Sequence, residues 1–299
     1  MVRPGALGDV VLTLPSLRAL RARFPSAHVS LVAPAPQVEV AAWDGVVDAT
    51  VDLDAPALAP LFGGAARVWP AELQRPDFAV LWLRDHAEMA GTLRRLGVQR
   101  SCGSAPLGAI GRRAHMAQWL VDSLALLKVD RMVDRRRTIR LPMTAEAHDG
   151  RYIVLHPGSG SRRKNWPWWA EAVAGLPELK VVITAGPADA EAVSALLARW
   201  PRGRALPLVR ETPTLADLAS ELAGAALFLG NDSGVSHLAA ALGVRSVVVF
   251  GPTDPAIWQP VGPAVTVLGG VTVLDGVFAA EPVWPAVEDV VRAAKGYVE

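Results

Sequence analysis

The sequence is short of the features that would place it in several large protein classes. Of its 299 residues only Cys102 is a cysteine, so no intrachain disulfide and no all-cysteine metal site can form, which fits a reducing compartment. The most apolar stretches, Ala79 to Leu83 and Ser246 to Phe250, are far shorter than the roughly 20 residues that span a bilayer. Any membrane contact is expected to be peripheral. The opening residues carry no basic segment followed by an apolar stretch and a small-residue cleavage site, so no secretion signal is expected. Charge of one sign is lacking too: 30 basic against 29 acidic side chains leave a net charge of +1, which gives no global reason to wrap a polyanion. The expected location is the cytoplasm, with peripheral association at the inner membrane left open, and no nucleic acid is expected as a partner.

What is present points to an α/β protein. A chain of 299 residues that is 51% hydrophobic more naturally builds two cores of ordinary size than one large one. Short runs rich in Val, Ile and Leu alternate with segments of helical period, the pattern of parallel strands covered by crossover helices. In the first half a short opening strand is followed by a helix from about Asp9 to Arg23. Strands are predicted at 28–32, 49–53, 78–82 and 98–102, and a helix at 116–127. The stretch Arg131 to Met143 holds five arginines and little apolar periodicity. The boundary is placed just after it, giving an N-terminal Rossmann-like domain of residues 1–148 and a C-terminal one of residues 149–299. The second half predicts strands at 152–155, 180–184, 225–229 and 246–250, with helices at 167–174, 188–200, 215–222, 235–242 and 285–297. The last helix could pack back on the N-terminal domain. Two such halves predict a cleft at the carboxyl ends of both sheets, where open α/β sheets bind ligands.

Three loops carry the chemistry. Arg3-Pro4-Gly5-Ala6-Leu7-Gly8-Asp9 joins the opening strand to the first helix, where glycines permit close backbone approach and free amides can face an anion. Its plain reading is a tight turn with Asp9 capping the helix. Its functional reading gives Asp9 a proton to accept from an attacking sugar hydroxyl, with the helix N-terminus favouring the ionised form. The second loop, His156 to Pro167, combines Gly158, Ser159, Gly160 and Ser161 with three consecutive cations, Arg162 to Lys164. That composition suits a pyrophosphate, and Lys164 would offset charge on a departing nucleoside diphosphate. A bare charge run is more often a solvated surface. In the third, a strand runs into Gly230-Asn231-Asp232-Ser233-Gly234 and a helix bearing His237, an anion-binding arrangement in which Asp232 could orient a hydroxyl or His237. The alternative is that Asp232 or Ser233 merely caps the helix and His237 is a buried, satisfied histidine. Thr253 and Asp254, leaving the next strand at the same end of the sheet, are further candidates.

Together the segments GALGDVVLTLPSLRAL (Gly5 to Leu20), HPGSGSRRKNWP (His156 to Pro167), GNDSGVSHLAAALG and VVVFGPTDPAIW (Gly230 to Trp258) resemble the ADP-heptose:lipopolysaccharide heptosyltransferase family. The resemblance spans nearly the whole chain and implies the two-Rossmann-domain GT-B architecture and inverting transfer of a heptose from an ADP-sugar. By it, Asp9 is the general base and Lys164 the phosphate-binding lysine. Gly8, Ser159, Asp232, Ser233, Gly234 and His237 belong to the donor site. Glu191, after Gly186-Pro187-Ala188-Asp189, matches the family's acidic residue near the ribose, with a surface helix glutamate as the other reading. Where relatives have an Asp-Leu-Gln-like segment this chain has Trp82-Leu83-Arg84-Asp85-His86. Arg84, His86 and Arg112 are the candidates for acceptor contact, and Arg94, Arg95, Arg100 and Arg113 could meet acceptor phosphates or be ordinary solvated side chains.

The implied reaction is a single in-line displacement to a lipopolysaccharide-core or other glycan or glycolipid acceptor. No cofactor is expected beyond the ADP-sugar substrate. No metal is expected either, because no Asp-X-Asp pair is placed to hold a divalent ion and the lysine with helix dipoles can supply the charge. The alternatives are a non-catalytic nucleotide-sugar-binding protein of the same fold and a nucleotide-sugar epimerase. A dehydrogenase is disfavoured because the first loop lacks the spaced G-x-G-x-x-G of that class.

Overall fold

The computed structural model describes residues 1–71, 73–105, 114–129, 131–141, 152–212, 214–271 and 283–299. The chain divides into two compact units, Met1–Asp134 and Arg135–Glu299. The division lies ahead of the predicted 148/149 boundary, which falls outside the described residues. From Arg135 onward the arginine-rich stretch already belongs to the second unit: Ile139 is buried and donates its backbone N–H to the carbonyl of Ala241 at 2.8 Å.

In the first unit α1 (Leu7–Arg23) buries Val10, Leu14, Leu17 and Leu20. It is tied to the following segment by a two-pronged contact from Arg18 to Asp44, 2.7 Å at each prong. Strands β1 (Ser30–Ala33) and β2 (Ala49–Asp52) pair in parallel. So do β3 (Ala79–Leu81) and β4 (Ser101–Gly103), on either side of α2 (His86–Arg95). The opening strand is as short as expected: Val2 alone forms parallel bridges, to Val32 on one side and Leu81 on the other, and so joins the two pairs. α3 (Met116–Asp122) packs on α1.

The second unit is built on a parallel sheet of six strands in the order β10-β9-β8-β5-β6-β7. Its elements are β5 (Tyr152–His156), α4 (Trp169–Ala174), β6 (Lys180–Ala185), α5 (Ala190–Ala198), β7 (Leu208–Glu211), α6 (Leu215–Ala223), β8 (Leu227–Asn231), α7 (Gly234–Ala241), β9 (Ser246–Phe250), β10 (Val265–Gly269) and α8 (Val287–Val298). Strands β5, β8 and β9 are buried along their whole length, as continuous apolar runs covered on both faces should be. Trp166, Trp169 and Val173 pack with Ile153, Ile183, Leu229 and Val290 in one core. Each such side chain removed from water contributes roughly 1.5–3 kcal/mol. The final helix α8 packs on α4, β8, β9 and β10 within this unit.

Two strands escaped the sequence reading for the same reason. β7 and β10 are the sheet's edges, and an edge strand can carry polar, partly exposed residues such as Arg210, Glu211 and Thr266, which blurs the apolar run. Helix α2 was also missed, since its apolar contacts reduce to Met89 and Leu93 among polar residues.

Candidate functional site

Strand order explains where the second unit gathers its polar side chains. From β5 the chain builds outward through β6 to β7, then returns to the other side of β5 as β8 and continues to β9 and β10. The loops that leave the carboxyl ends of β5 and β8 therefore diverge to opposite faces of the sheet. The crevice at such a switch of strand order is the place where doubly wound sheets take their ligands.

Both chemically rich loops arrive there. Lys164, in a single helical turn at the end of the loop after β5, donates from Nζ to Asp232 Oδ2 at 2.8 Å, and Thr253, from the loop after β9, donates from Oγ1 to the same oxygen at 2.7 Å. Asp232 is 5% exposed, so its charge is compensated inside the protein rather than by water. Ser159 Oγ lies 2.7 Å from both the Ser161 carbonyl and Asn165 Oδ1, with one O–H to donate between them, which shapes the Gly/Ser turn. Ser233 caps α7 by accepting from the Ser236 amide at 3.3 Å, and Gly234 is the first residue of that helix. His237 is buried in the first turn of α7. Asp254 caps the short helix after β9 by accepting from Ala256 N–H at 2.8 Å. Thus Lys164, Asp232 and Thr253 converge, whereas Ser233 and Asp254 are also helix caps. Glu191 lies at the start of α5, largely exposed, in an ion pair with Arg162, so the first arginine of the cationic run ties its loop to that helix.

Asn231 received no role of its own from the sequence, yet it holds this arrangement together. Its side chain is buried, with Nδ2 donating to the carbonyls of Pro157 (2.7 Å) and Gly158 (3.2 Å). Its Oδ1 accepts from the Trp166 amide (2.9 Å) and Trp169 Nε1 (3.3 Å). One amide thereby fixes both ends of the loop that carries Lys164. On the opposite side of that loop Asp189 is buried, accepts from Gly186 N–H at 2.8 Å, and lies so close to Gly158 that any side chain there would collide with its carboxylate. His156 Nε2 is 3.9 Å from Asp189, and its Nδ1 faces the Thr184 carbonyl at 3.1 Å. Burial pushes the His156 pKa down, opposed by the Asp189 charge and the Thr184 carbonyl.

In the first unit Asp9 sits in the opening turn of α1, with Gly8 beside it. Its Oδ1 accepts from Arg3 Nη2 at 2.6 Å and its Oδ2 from the Ala6 amide at 3.0 Å. The carboxylate is thus both a helix-start ligand, as the plain reading had it, and the partner of a buried arginine that the sequence reading passed over. A cavity of about 530 Å³ opens beside this loop, lined by Pro4, Leu53, Asp54, Phe62, Arg84 and Asp85. Arg84 is in its wall; His86 is turned to the Leu83 carbonyl at 3.3 Å and packs against Gly103. Arg112 and Arg113 lie outside the described residues. A second cavity in this unit, about 570 Å³, opens at the amino ends of β1 and β3 among Leu20, Phe24 and Phe78; of the predicted residues only Arg100 lines it. Among the described residues no group of three or more His, Cys, Asp or Glu is arranged to hold a metal ion, and no helix is long and apolar enough to cross a membrane. In the Asp52-Leu53-Asp54 segment, Asp52 Oδ1 is taken by the amides of Ala35 and Asp54.

The chain is similar to known proteins in sequence and in fold. The Pseudomonas aeruginosa lipopolysaccharide heptosyltransferase 1 is 25% identical over 310 residues, spanning 90% of this chain and 82% of that one. Among solved structures, a family 9 glycosyl transferase from Veillonella parvula superposes with a TM-score of 0.77 at 20% identity, over 99% of this chain and 96% of that one. The Escherichia coli heptosyltransferase WaaC with ADP gives 0.65 at 20% identity, over 89% and 91%. These neighbours establish the α/β fold of GT-B type. The model of glycosyltransferase family 9 (heptosyltransferase) matches residues 124–273, which takes in β5, its loop, the β8–α7 turn and the Thr253 segment, so the chain belongs to that family and is a glycosyltransferase.

Proposed function

We propose that the protein transfers a heptose, or a closely related sugar, from an ADP-activated donor to a glycan or glycolipid acceptor, with inversion. The observation that carries this reading is the convergence of Lys164, Asp232 and Thr253 at the β5/β8 switch, next to the start of α7. A lysine there is matched to a diphosphate leaving group, and helix amides add to the same field. ADP bound to the solved WaaC enzyme and the name of the Pseudomonas relative support the donor and a lipopolysaccharide-core acceptor.

In the reaction an acceptor hydroxyl oxygen forms a bond to the anomeric carbon as the bond from that carbon to the diphosphate oxygen breaks. The electron pair leaves with ADP, towards Lys164. The hydroxyl proton passes to Asp9. The acceptor occupies the cavity walled by Arg84 and Phe62 in the first unit, at the inner face of a membrane when the acceptor is lipid-linked. Lys164 supplies the charge a metal ion would otherwise bring, so activity persists in chelator.

Calorimetry with ADP, UDP and GDP, followed by transfer from ADP-heptose to a heptose-deficient lipopolysaccharide core, tests the reading. Preference for ADP and acceptor-dependent release of ADP are the expected results. Equal binding of all three nucleotides would remove the donor assignment, and ADP binding with no acceptor ever modified would leave a binding protein.

A further inference from the structure

We propose that Arg3 is the positioning residue for the base: it holds Oδ1 of Asp9 so that Oδ2 is the oxygen that takes the acceptor's proton. This rests on the reading of Asp9 as the base and adds to it a second residue and an atom.

The geometry is unusual for a cation near a protein surface. Arg3 is 3% exposed, so its guanidinium is too deeply placed to meet a substrate directly. Its backbone is fixed by donation to the Val32 carbonyl at 2.9 Å, in the central bridge of the sheet. Its Nη2 approaches Asp9 Oδ1 to 2.6 Å, while its Nε has no hydrogen-bond partner. Asp9 is 31% exposed, so the pair runs from the interior to the surface with the carboxylate at the open end. A buried cation is costly unless paired, and burial lowers the Arg3 pKa while Asp9 raises it.

The second carboxylate oxygen is organised differently. Oδ2 accepts one neutral hydrogen bond, from the Ala6 amide at 3.0 Å. Gly5 stands against it at φ +135, and a Cβ there would lie 2.5 Å from Oδ2. A carboxylate oxygen has room for a second partner. The charge-assisted bond is the stronger of the two, so it anchors Oδ1 and leaves Oδ2 as the oxygen with capacity for a proton. On transfer the new O–H forms at Oδ2, the substrate O–H bond breaks, and Arg3 remains on Oδ1. A base displaced by about 1 Å can lose on the order of a hundredfold in rate, which sets the expected scale of removing Arg3.

The test is a double-mutant cycle on the full chain with ADP-heptose as donor and a heptose-deficient lipopolysaccharide core as acceptor. Arg3→Gln is expected to lower kcat by about thirtyfold to a hundredfold with acceptor KM and ADP affinity unchanged, and Arg3→Lys to recover most of it. In the Asp9→Asn background Arg3→Gln is expected to have no further effect on kcat and to raise Tm, because it removes the buried cation that Asn no longer balances. Losses that multiply in the double variant, or an Arg3→Gln enzyme with normal kcat, would overturn the proposal. If Asp9→Asn alone transfers at the normal rate, the base reading itself falls, a result the single Arg3 variants do not mimic. Should Arg3→Gln fold poorly, Arg3→Met, which keeps the buried stem and removes the cation, decides: a normal kcat/KM with a lowered Tm means a purely structural arginine.

Discussion

Asp9 and Asp232 are both held by a basic side chain at nearly the same distance, 2.6 and 2.8 Å, but the partner of Asp9 is 6 residues away and that of Asp232 is 68. The first pair is written into a single turn between a strand and a helix. The second exists only once β5 and β8 lie side by side and Asn231 has fixed the loop between them. On the proposed reading, local sequence builds the proton acceptor and long-range folding builds the diphosphate site. Damage to the second unit's sheet should remove donor affinity, while damage to the first turn should remove rate and leave affinity.

The sharpest test of this contrast is Asp9→Asn, which keeps shape and loses basicity. A general base contributes about 10²- to 10⁴-fold, so kcat should fall by that much while calorimetric ADP affinity stays at the wild-type value; a parallel loss of ADP affinity would erase the distinction between the two pairs. Lys164→Ala should cost about 10²- to 10³-fold in kcat and, unlike Asp9→Asn, weaken ADP binding as well. It also leaves the buried Asp232 carboxylate without its cation and with the neutral Thr253 hydroxyl still donating to it, so Lys164→Ala/Asp232→Asn should be the more stable protein by thermal denaturation.

Asn231→Ala comes next in size, and acts through the fold rather than the chemistry. It strands the amide of Trp166 and the indole N–H of Trp169, both inside the core, at about 1–3 kcal/mol for each buried group left without a partner. Denaturant unfolding should show that loss, with weaker ADP binding and an unaltered Arg3–Asp9 turn. An Asn231→Ala protein of wild-type stability would mean that the loop is held by something else.

How much of this was legible beforehand follows the same local and non-local division. The α1 start, the Gly/Ser turn before Lys164 and the strand-turn-helix around Ser233 were all visible, because period, turn residues and cap residues act within a few positions. Lys164 and Asp232 could be singled out separately, but their contact depends on strand order, which no window of residues encodes. Arg3 is hidden in the sequence, since an arginine beside a chain's first residues reads as solvated until a sheet closes around it. Asn231 was hidden by its neighbours: in a Gly-Asn-Asp-Ser-Gly turn the aspartate and serine attract the functional reading, and only burial shows that the asparagine is the one making four bonds. For Glu191 the resemblance implies a ribose role, whereas its side chain meets Arg162. That role is a proposal for a donor-bound state in which the pair opens.

The smallest effect expected is a pH dependence centred on His156, and it separates the scaffold of the donor loop from its chemistry. Burial lowers this imidazole's pKa, against the pull of Asp189 and the Thr184 carbonyl. The folded value is therefore below the unfolded one, about 6.5. Above that pH both states are neutral at His156 and stability does not respond. As pH falls below about 6.5, the unfolded chain takes up a proton that the folded chain resists, so stability declines until the folded value is passed, at no more than about 1.4 kcal/mol per pH unit. Asp189→Asn removes the main opposing charge while keeping the side chain's shape against Gly158, which should extend the decline to lower pH. His156→Gln should remove it. Melting temperatures from pH 7.5 to 5 read all three. If wild type and His156→Gln decline in parallel, the loss belongs to other groups, and the His156–Asp189 contact beneath Gly158 is packing alone.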